Sequence, residues 1–111
     1  MLDTIKSSND ISILFNKGRR LGTPDLTLIV LRNEKLHDRR GRVAFIAGKK
    51  LGNAVWRNRA KRRMRALCRD LNGPFPGYDV IFLARSNVSE ADYETMLSNL
   101  RKALVKEKIL Q

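Results

Sequence analysis

Residues 48–71 read GKKLGNAVWRNRAKRRMRALCRDL. On a helical wheel of about 100° per residue, Trp56, Ala60, Met64, Leu67 and Leu71 fall within an arc of roughly 80°. That stripe is wide enough to lie on a core. On the far side stand Asn58, Lys61, Arg62, Arg65 and Arg69, with Arg57, Arg59 and Arg63 on the flanks. Asn53 is placed to cap this helix, and Asn72-Gly73-Pro74 to stop it. The apolar stripe fixes the helix's orientation, so the basic side is presented rigidly. Its like charges repel at i, i+4 spacing, and a polyanion would relieve them.

The charge of the whole chain is concentrated in the same place. Lys and Arg total 23 against 11 Asp and Glu, a net +12. Between Arg39 and Arg69 there are 12 basic residues and no acid; outside it, 11 of each sign balance. A charge run on a helix is ordinarily a solvated face, but solvated faces mix signs. Focused charge of one sign is the footprint of a nucleic-acid docking surface. A membrane surface fits less well, because the narrow apolar stripe is needed for the helix's own core.

Working outward, Arg42 to Ala47 reads as a strand before the basic helix, joined to it by the loop Gly48 to Asn53. Tyr78 to Ala84 reads as a strand after it, buried on both faces. Leu26 to Leu31, apolar but for Thr27, is another strand, preceded by the breaker Gly22-Thr23-Pro24. Asn33 to Arg40 is a polar loop. A short first helix carries Ile11, Leu14 and Phe15, with cap candidates in Ser7-Ser8-Asn9-Asp10 and an end at Lys17-Gly18. Ser89-Glu90-Ala91-Asp92 resembles a capping box ahead of a last helix with Tyr93, Leu97, Leu100 and Leu104 in one stripe. The expected class is α+β: a two-layer α/β sandwich of three helices and one small sheet, forming a single domain over residues 1–111.

At 111 residues with 42% apolar content, the chain can bury one modest core. No apolar run approaches the roughly 20 residues of a membrane span. Met1-Leu2-Asp3-Thr4 lacks the basic start and apolar stretch of a secretory signal. A single cysteine, Cys68, excludes an internal disulfide and fits a reducing compartment. A cytoplasmic protein is expected.

Candidates for protein-borne catalysis are few. His37, the only histidine, sits in a polar loop beside Asp38 without a second positioned group. Cys68 has arginines nearby in sequence, which favour the thiolate, but its place beside Leu67 suits a buried filler. Asp79 and Asp92 belong to no carboxylate or His/Cys cluster. Asp79 reads as part of a strand start and Asp92 as a capping residue.

The stretch Gly48 to Arg65 resembles the signature of the bacterial ribonuclease P protein family. That signature, K-K-x-G-N-A-V-x-R-N-R-x-K-R-x-x-R, is matched at every fixed position. Asn9 to Gly18 is similar to the family's first helix, and Gly77 to Arg85 to its G-Y-D-x-x-x-x-A-R strand. The resemblance implies that Arg57, Asn58, Arg59, Lys61, Arg62 and Arg65 face a catalytic RNA, with Lys49, Lys50 and Asn53 in the loop before them. It also implies a βαβ unit of left-handed crossover, against the usual right-handed rule.

The same resemblance implies a cleft between the first helix and the sheet for the single-stranded 5′ leader of precursor tRNA. Phe15 maps onto one of its helix aromatics, although its residue type equally suits a core position. Ile11 and Ile29 stand where the family often has aromatics, which shifts leader contacts toward backbone charge. Hydrolysis would belong to the RNA subunit and its Mg²⁺, with no cofactor bound by the protein alone. The implied partners are ribonuclease P RNA and precursor tRNA, with no membrane and no obligate protein partner. The alternative is a general or ribosome-associated RNA-binding module. A helix-turn-helix DNA binder and an autonomous nuclease fit less well.

Overall fold

The computed structural model describes residues 4, 5, 7–33 and 41–110. In chain order come α1 (Ser8–Lys17), β1 (Arg19–Gly22), β2 (Leu26–Arg32), β3 (Arg42–Ile46), α2 (Ala54–Asp70), β4 (Tyr78–Ala84) and α3 (Tyr93–Lys106). A single 3-10 turn, Lys49–Leu51, precedes α2. Residues 34–40, which include His37 and Asp38 and most of the expected polar loop, lie outside the described residues.

The sheet runs β1-β2-β4-β3, antiparallel except for the parallel pair β3 and β4. Parallel neighbours need a crossover, and α2 supplies it. Strand β1 was not foreseen. Its four residues pair Arg19 to Val30 and Gly22 to Thr27, but only Leu21 faces the core, too short an alternation to register in sequence.

Alternation along the strands divides the interior in two. Leu26, Leu28, Val30, Val43, Val80 and Phe82 point to one side, where α2 contributes Ala60, Met64, Leu67 and Cys68 and α3 contributes Met96, Leu100 and Leu104. Ile29, Ala44 and Ile81 point to the other side and meet Leu14 of α1 and Ile5. The expected sandwich is therefore the sheet with α2 and α3, and α1 adds a partial third layer on the opposite face.

Helix ends follow local chemistry. Asn53 accepts a hydrogen bond from the Trp56 amide at 2.9 Å, the cap expected from sequence. At the other end Asn72 takes a positive φ of 63°, and the amides of Asn72 and Gly73 return to the carbonyls of Arg69 and Cys68. Helix α1 is capped by Ser7. The Ser89 capping box does not form. Asp92 is the N-cap of α3, taking the Thr95 amide at 2.9 Å and the Thr95 hydroxyl at 2.7 Å. Those bonds from Thr95, hydroxyl first, hold the Asp92 carboxyl below its ordinary value. Their contribution is present at neutral pH and is lost as pH falls through that lowered value.

Two features seat α1. The Gly18 amide bonds the Leu14 carbonyl at 2.7 Å, and a Cβ at Gly18 would lie 2.4 Å from that oxygen and 2.5 Å from Ile29 Cγ2. Only glycine lets the end of α1 come this close to β2. At the start of the helix, Arg42 grips Asp79 with two bonds, 2.7 Å from Nη2 and 3.2 Å from Nε, and reaches Asp10 of α1 at 3.2 Å. Asn33 also donates to Asp79, at 3.0 Å. Asp79 thus holds a strand, a neighbouring strand and, through Arg42, a helix.

Replacing Arg42 by Ala leaves the buried Asp79 carboxylate without its partner. Urea unfolding of Arg42→Ala is expected to show a loss of about 3 kcal/mol, with partial recovery when Asp79→Asn is added. A loss below about 0.5 kcal/mol would mean that the pair does not hold the layers together.

Candidate nucleic-acid interface

The wheel drawn from the sequence is realised in α2. Ala60, Met64, Leu67 and Cys68 are buried and Leu71 follows them, while Trp56 is half-buried. Burying Met64, Leu67 and Leu71 stabilises by about 2 kcal/mol each. The four like-charge pairs at i, i+4, from Arg57–Lys61 to Arg65–Arg69, cost a few tenths of a kcal/mol apiece. The apolar side wins by several-fold, so the helix holds its orientation and keeps its charge facing out.

Of the residues expected at this face, Asn58, Arg59, Arg62 and Arg65 are exposed, as are Lys49, Lys50 and Asn53 before the helix. Lys61 and Arg57 are half-buried. The Nε of Arg57 is buried without a hydrogen-bond partner among the described residues. The Arg65 guanidinium lies 5.7 Å from the Phe45 ring, which steadies it over the edge strand β3. The loop is tightened by Gly52, where a Cβ would lie 2.8 Å from the Trp56 side chain.

Arg63 is different. It donates to the Val88 carbonyl at 3.0 Å and lies 5.8 Å from the Tyr93 ring. The Tyr93 hydroxyl in turn donates to Asp70 at 2.5 Å. Burial, then the bond to Asp70, push the tyrosine up to about 12. Arg63 therefore fastens α2 to α3, and its membership of the basic run conceals a structural task.

The opposite face of the sheet carries the second set of candidates. Helix α1 covers the cross-strand row Ile29, Ile81 and Ala44. Ile29 is 0% exposed, so it is a core residue under α1 and does not line a cleft. Its position in a β-rich run was visible in sequence; its complete burial under α1 was not. The next row along, Thr27, Leu83 and Ile46, is less covered, with Leu83 and Ile46 half-buried. Phe15 and Ile11 are half-buried against the same cluster. Phe15 is thus both core and surface. The Arg20 guanidinium lies 5.6 Å from its ring, and Arg85 Nε donates to Thr27 Oγ1 at 3.3 Å. Sequence reading missed Arg20, Ile46, Leu83 and Arg85 here, since only strand pairing places them together.

Nothing described resembles a hydrolytic centre. Cys68 is fully buried, and burial pushes its thiol up to about 12, which keeps it protonated and unreactive. Asp79 is committed to Arg42, and Asp92 to its cap. No three His, Cys, Asp or Glu side chains converge among the described residues. No described helix is long and apolar enough to cross a membrane. Two surface hollows, of about 540 and 210 Å³, lie along α3 and beside its C-terminal end, away from the exposed side of α2.

Known proteins resemble this chain along nearly its whole length. The family model for ribonuclease P matches residues 2–108. The chain is 37% identical over 108 residues to the ribonuclease P protein component of Streptococcus mutans serotype c, covering 96% of this chain and 87% of the relative. It is 38% identical over 110 residues to that of Natranaerobius thermophilus, covering 97% and 92%. The solved structure of the Staphylococcus aureus RNase P protein superimposes with a TM-score of 0.80 at 24% identity, covering all of both chains.

Two outcomes are expected from this geometry. Arg62→Ala should flatten the dependence of log K on log[salt] for RNA binding by about one unit and leave the melting temperature unchanged. Arg63→Ala should instead lower the melting temperature, with a smaller change in slope; the reverse pattern would exchange their roles. Cys68 should resist thiol reagents at pH 8 in the folded protein and react on denaturation, and rapid labelling of native protein would contradict its burial.

Proposed function

Because this chain belongs to the ribonuclease P protein family, we propose that it acts as the RNA-binding protein subunit of ribonuclease P, with the RNA subunit performing the hydrolysis. The observation that carries this reading is the acid-free face of α2, held outward by a buried apolar stripe, in a chain that the family model matches from residue 2 to 108. Lys49, Lys50, Asn53, Arg57, Asn58, Arg59, Lys61, Arg62 and Arg65 form the surface offered to ribonuclease P RNA. Phosphate contacts there screen the repulsion between two polyanions and supply most of the affinity. Asn58 adds an acceptor that arginine and lysine lack.

The second half of the reading concerns precursor tRNA. The partly covered row beside α1 has an apolar floor in Phe15, Leu83 and Ile46 and basic groups in Arg20 and Arg85. Such a surface suits an unpaired strand, with a base against the ring and phosphates near the guanidinium groups. Mature tRNA has no 5′ leader, so a leader-binding surface favours precursor over product. On this reading the RNA, and not this chain, would hold Mg²⁺, which would supply water activation and stabilisation of the leaving oxygen there. The protein's own task is binding and orientation, by shape and phosphate contacts.

Reconstitution with the cognate RNA subunit and a labelled precursor tRNA at low Mg²⁺ tests the proposal. The protein should stimulate 5′ cleavage by the RNA and show none alone; site-specific cutting by RNA-free protein would overturn the division of labour. Phe15→Leu, which keeps much of the volume and removes the π face, should weaken precursor binding by roughly fivefold or more and leave mature tRNA affinity unchanged. An unaltered precursor-to-mature ratio would remove Phe15 from the leader surface without touching the α2 assignment.

A further inference from the structure

Among the described residues, four large apolar side chains are exposed: Ile13, Leu51, Val55 and Val105. Two of them fall in the basic segment, two residues either side of the capping Asn53. Val55 is the most exposed of all, at 68%. Single exposed apolar residues are common and ordinarily mean nothing. The position of Val55 is what sets it apart. On the wheel it lies about 140° from the centre of the apolar stripe and roughly 20° from Arg62. It shares an i, i+3, i+4, i+7 stripe with Asn58, Arg59 and Arg62, all exposed. Among the described residues, neither hydrophobic cluster includes it.

Leu51 is exposed at 41%, at the end of the 3-10 turn whose backbone is pinned by Gly52 against Trp56. It follows Lys49 and Lys50 directly. Two rigidly held apolar groups thus stand inside a surface otherwise built for phosphate. Neither can bind phosphate, and both would obstruct close approach of a regular duplex backbone. An RNA with an unstacked nucleotide at this spot would bury them against a base or ribose.

We propose that Leu51 and Val55 form an apolar knob that receives an unstacked nucleotide of the RNA subunit, so that this face selects non-helical RNA. The proposal rests on α2 being the RNA-binding face. The positive surroundings favour a nucleic-acid occupant over a second protein. Arginines around the knob take the flanking phosphates, and the knob takes the base. The polar part of binding is salt-sensitive and sequence-independent, whereas the apolar part is insensitive to salt and depends on RNA shape.

The test compares binding of wild type, Val55→Ser, Val55→Lys and Arg62→Ala to the cognate ribonuclease P RNA and to a fully paired RNA duplex across a salt series, with melting temperature as the fold check. Val55→Ser should weaken binding to the ribonuclease P RNA about five- to tenfold with an unchanged salt slope, and leave duplex binding unaltered. Val55→Lys should weaken it at high salt despite the added charge. If Val55→Ser binds as wild type, or Val55→Lys binds more tightly at every salt concentration, the knob is overturned while the steep slope and the Arg62→Ala effect preserve the α2 reading. If wild type itself binds with a shallow slope that Arg62→Ala does not change, the α2 reading fails and takes the knob with it.

Discussion

The burial of one stripe on α2 is the constraint on which the molecule turns. Ala60, Met64, Leu67, Cys68 and Leu71 lie against β3, β4 and α3, and no rotation of the helix preserves that contact. A turn of even one residue position would bring an arginine toward the core and a leucine toward water. Because the cost of that exchange runs to several kcal/mol, the basic face is as rigid as the core behind it. Charge repulsion along the helix is real but smaller, and it is the part of the energy left for a polyanion to improve.

The other face of the sheet is organised by different forces. A partly buried ion pair, Arg42 with Asp79, joins β3 to β4 and extends through Asp10 to the start of α1. Gly18 lets the end of α1 settle on Ile29. Between these two points α1 covers one cross-strand row and leaves its neighbour partly open. One small sheet therefore supports two unlike surfaces: a charged helix face on one side, and an apolar floor with basic groups beside it on the other. On the function proposed above, the separation would let one chain engage a structured RNA and a single strand without competition for the same side chains.

Within the basic segment, identity of charge does not mean identity of role. Arg42 is consumed by carboxylates and Arg63 by Val88 and Tyr93, whereas Arg65 rests over Phe45 and stays exposed. Asn58, Arg59 and Arg62 are exposed to solvent. A count of arginines overstates the number available for phosphate, and the correction comes from distances.

Local patterns carried most of what was legible beforehand. The period of α2, its Asn53 cap, its stop at Asn72, the strands β2, β3 and β4 and the acid-free basic face depend on neighbours within a few residues, and the sequence by itself determined them. Strand β1 escaped because four residues with one inward side chain carry almost no periodic signal. Asp92, legible in the sequence as a capping residue, caps α3 through Thr95 three positions on, and the Ser89 box does not form. Tertiary structure alone decided that Ile29 is buried, that Arg20 lies over Phe15, that Leu83 and Ile46 flank the open row, and that Arg42 is spent on Asp79. Each of these depends on strand register or on which side of the sheet a helix covers. Such facts are set by contacts between residues far apart in the chain, which no local period encodes.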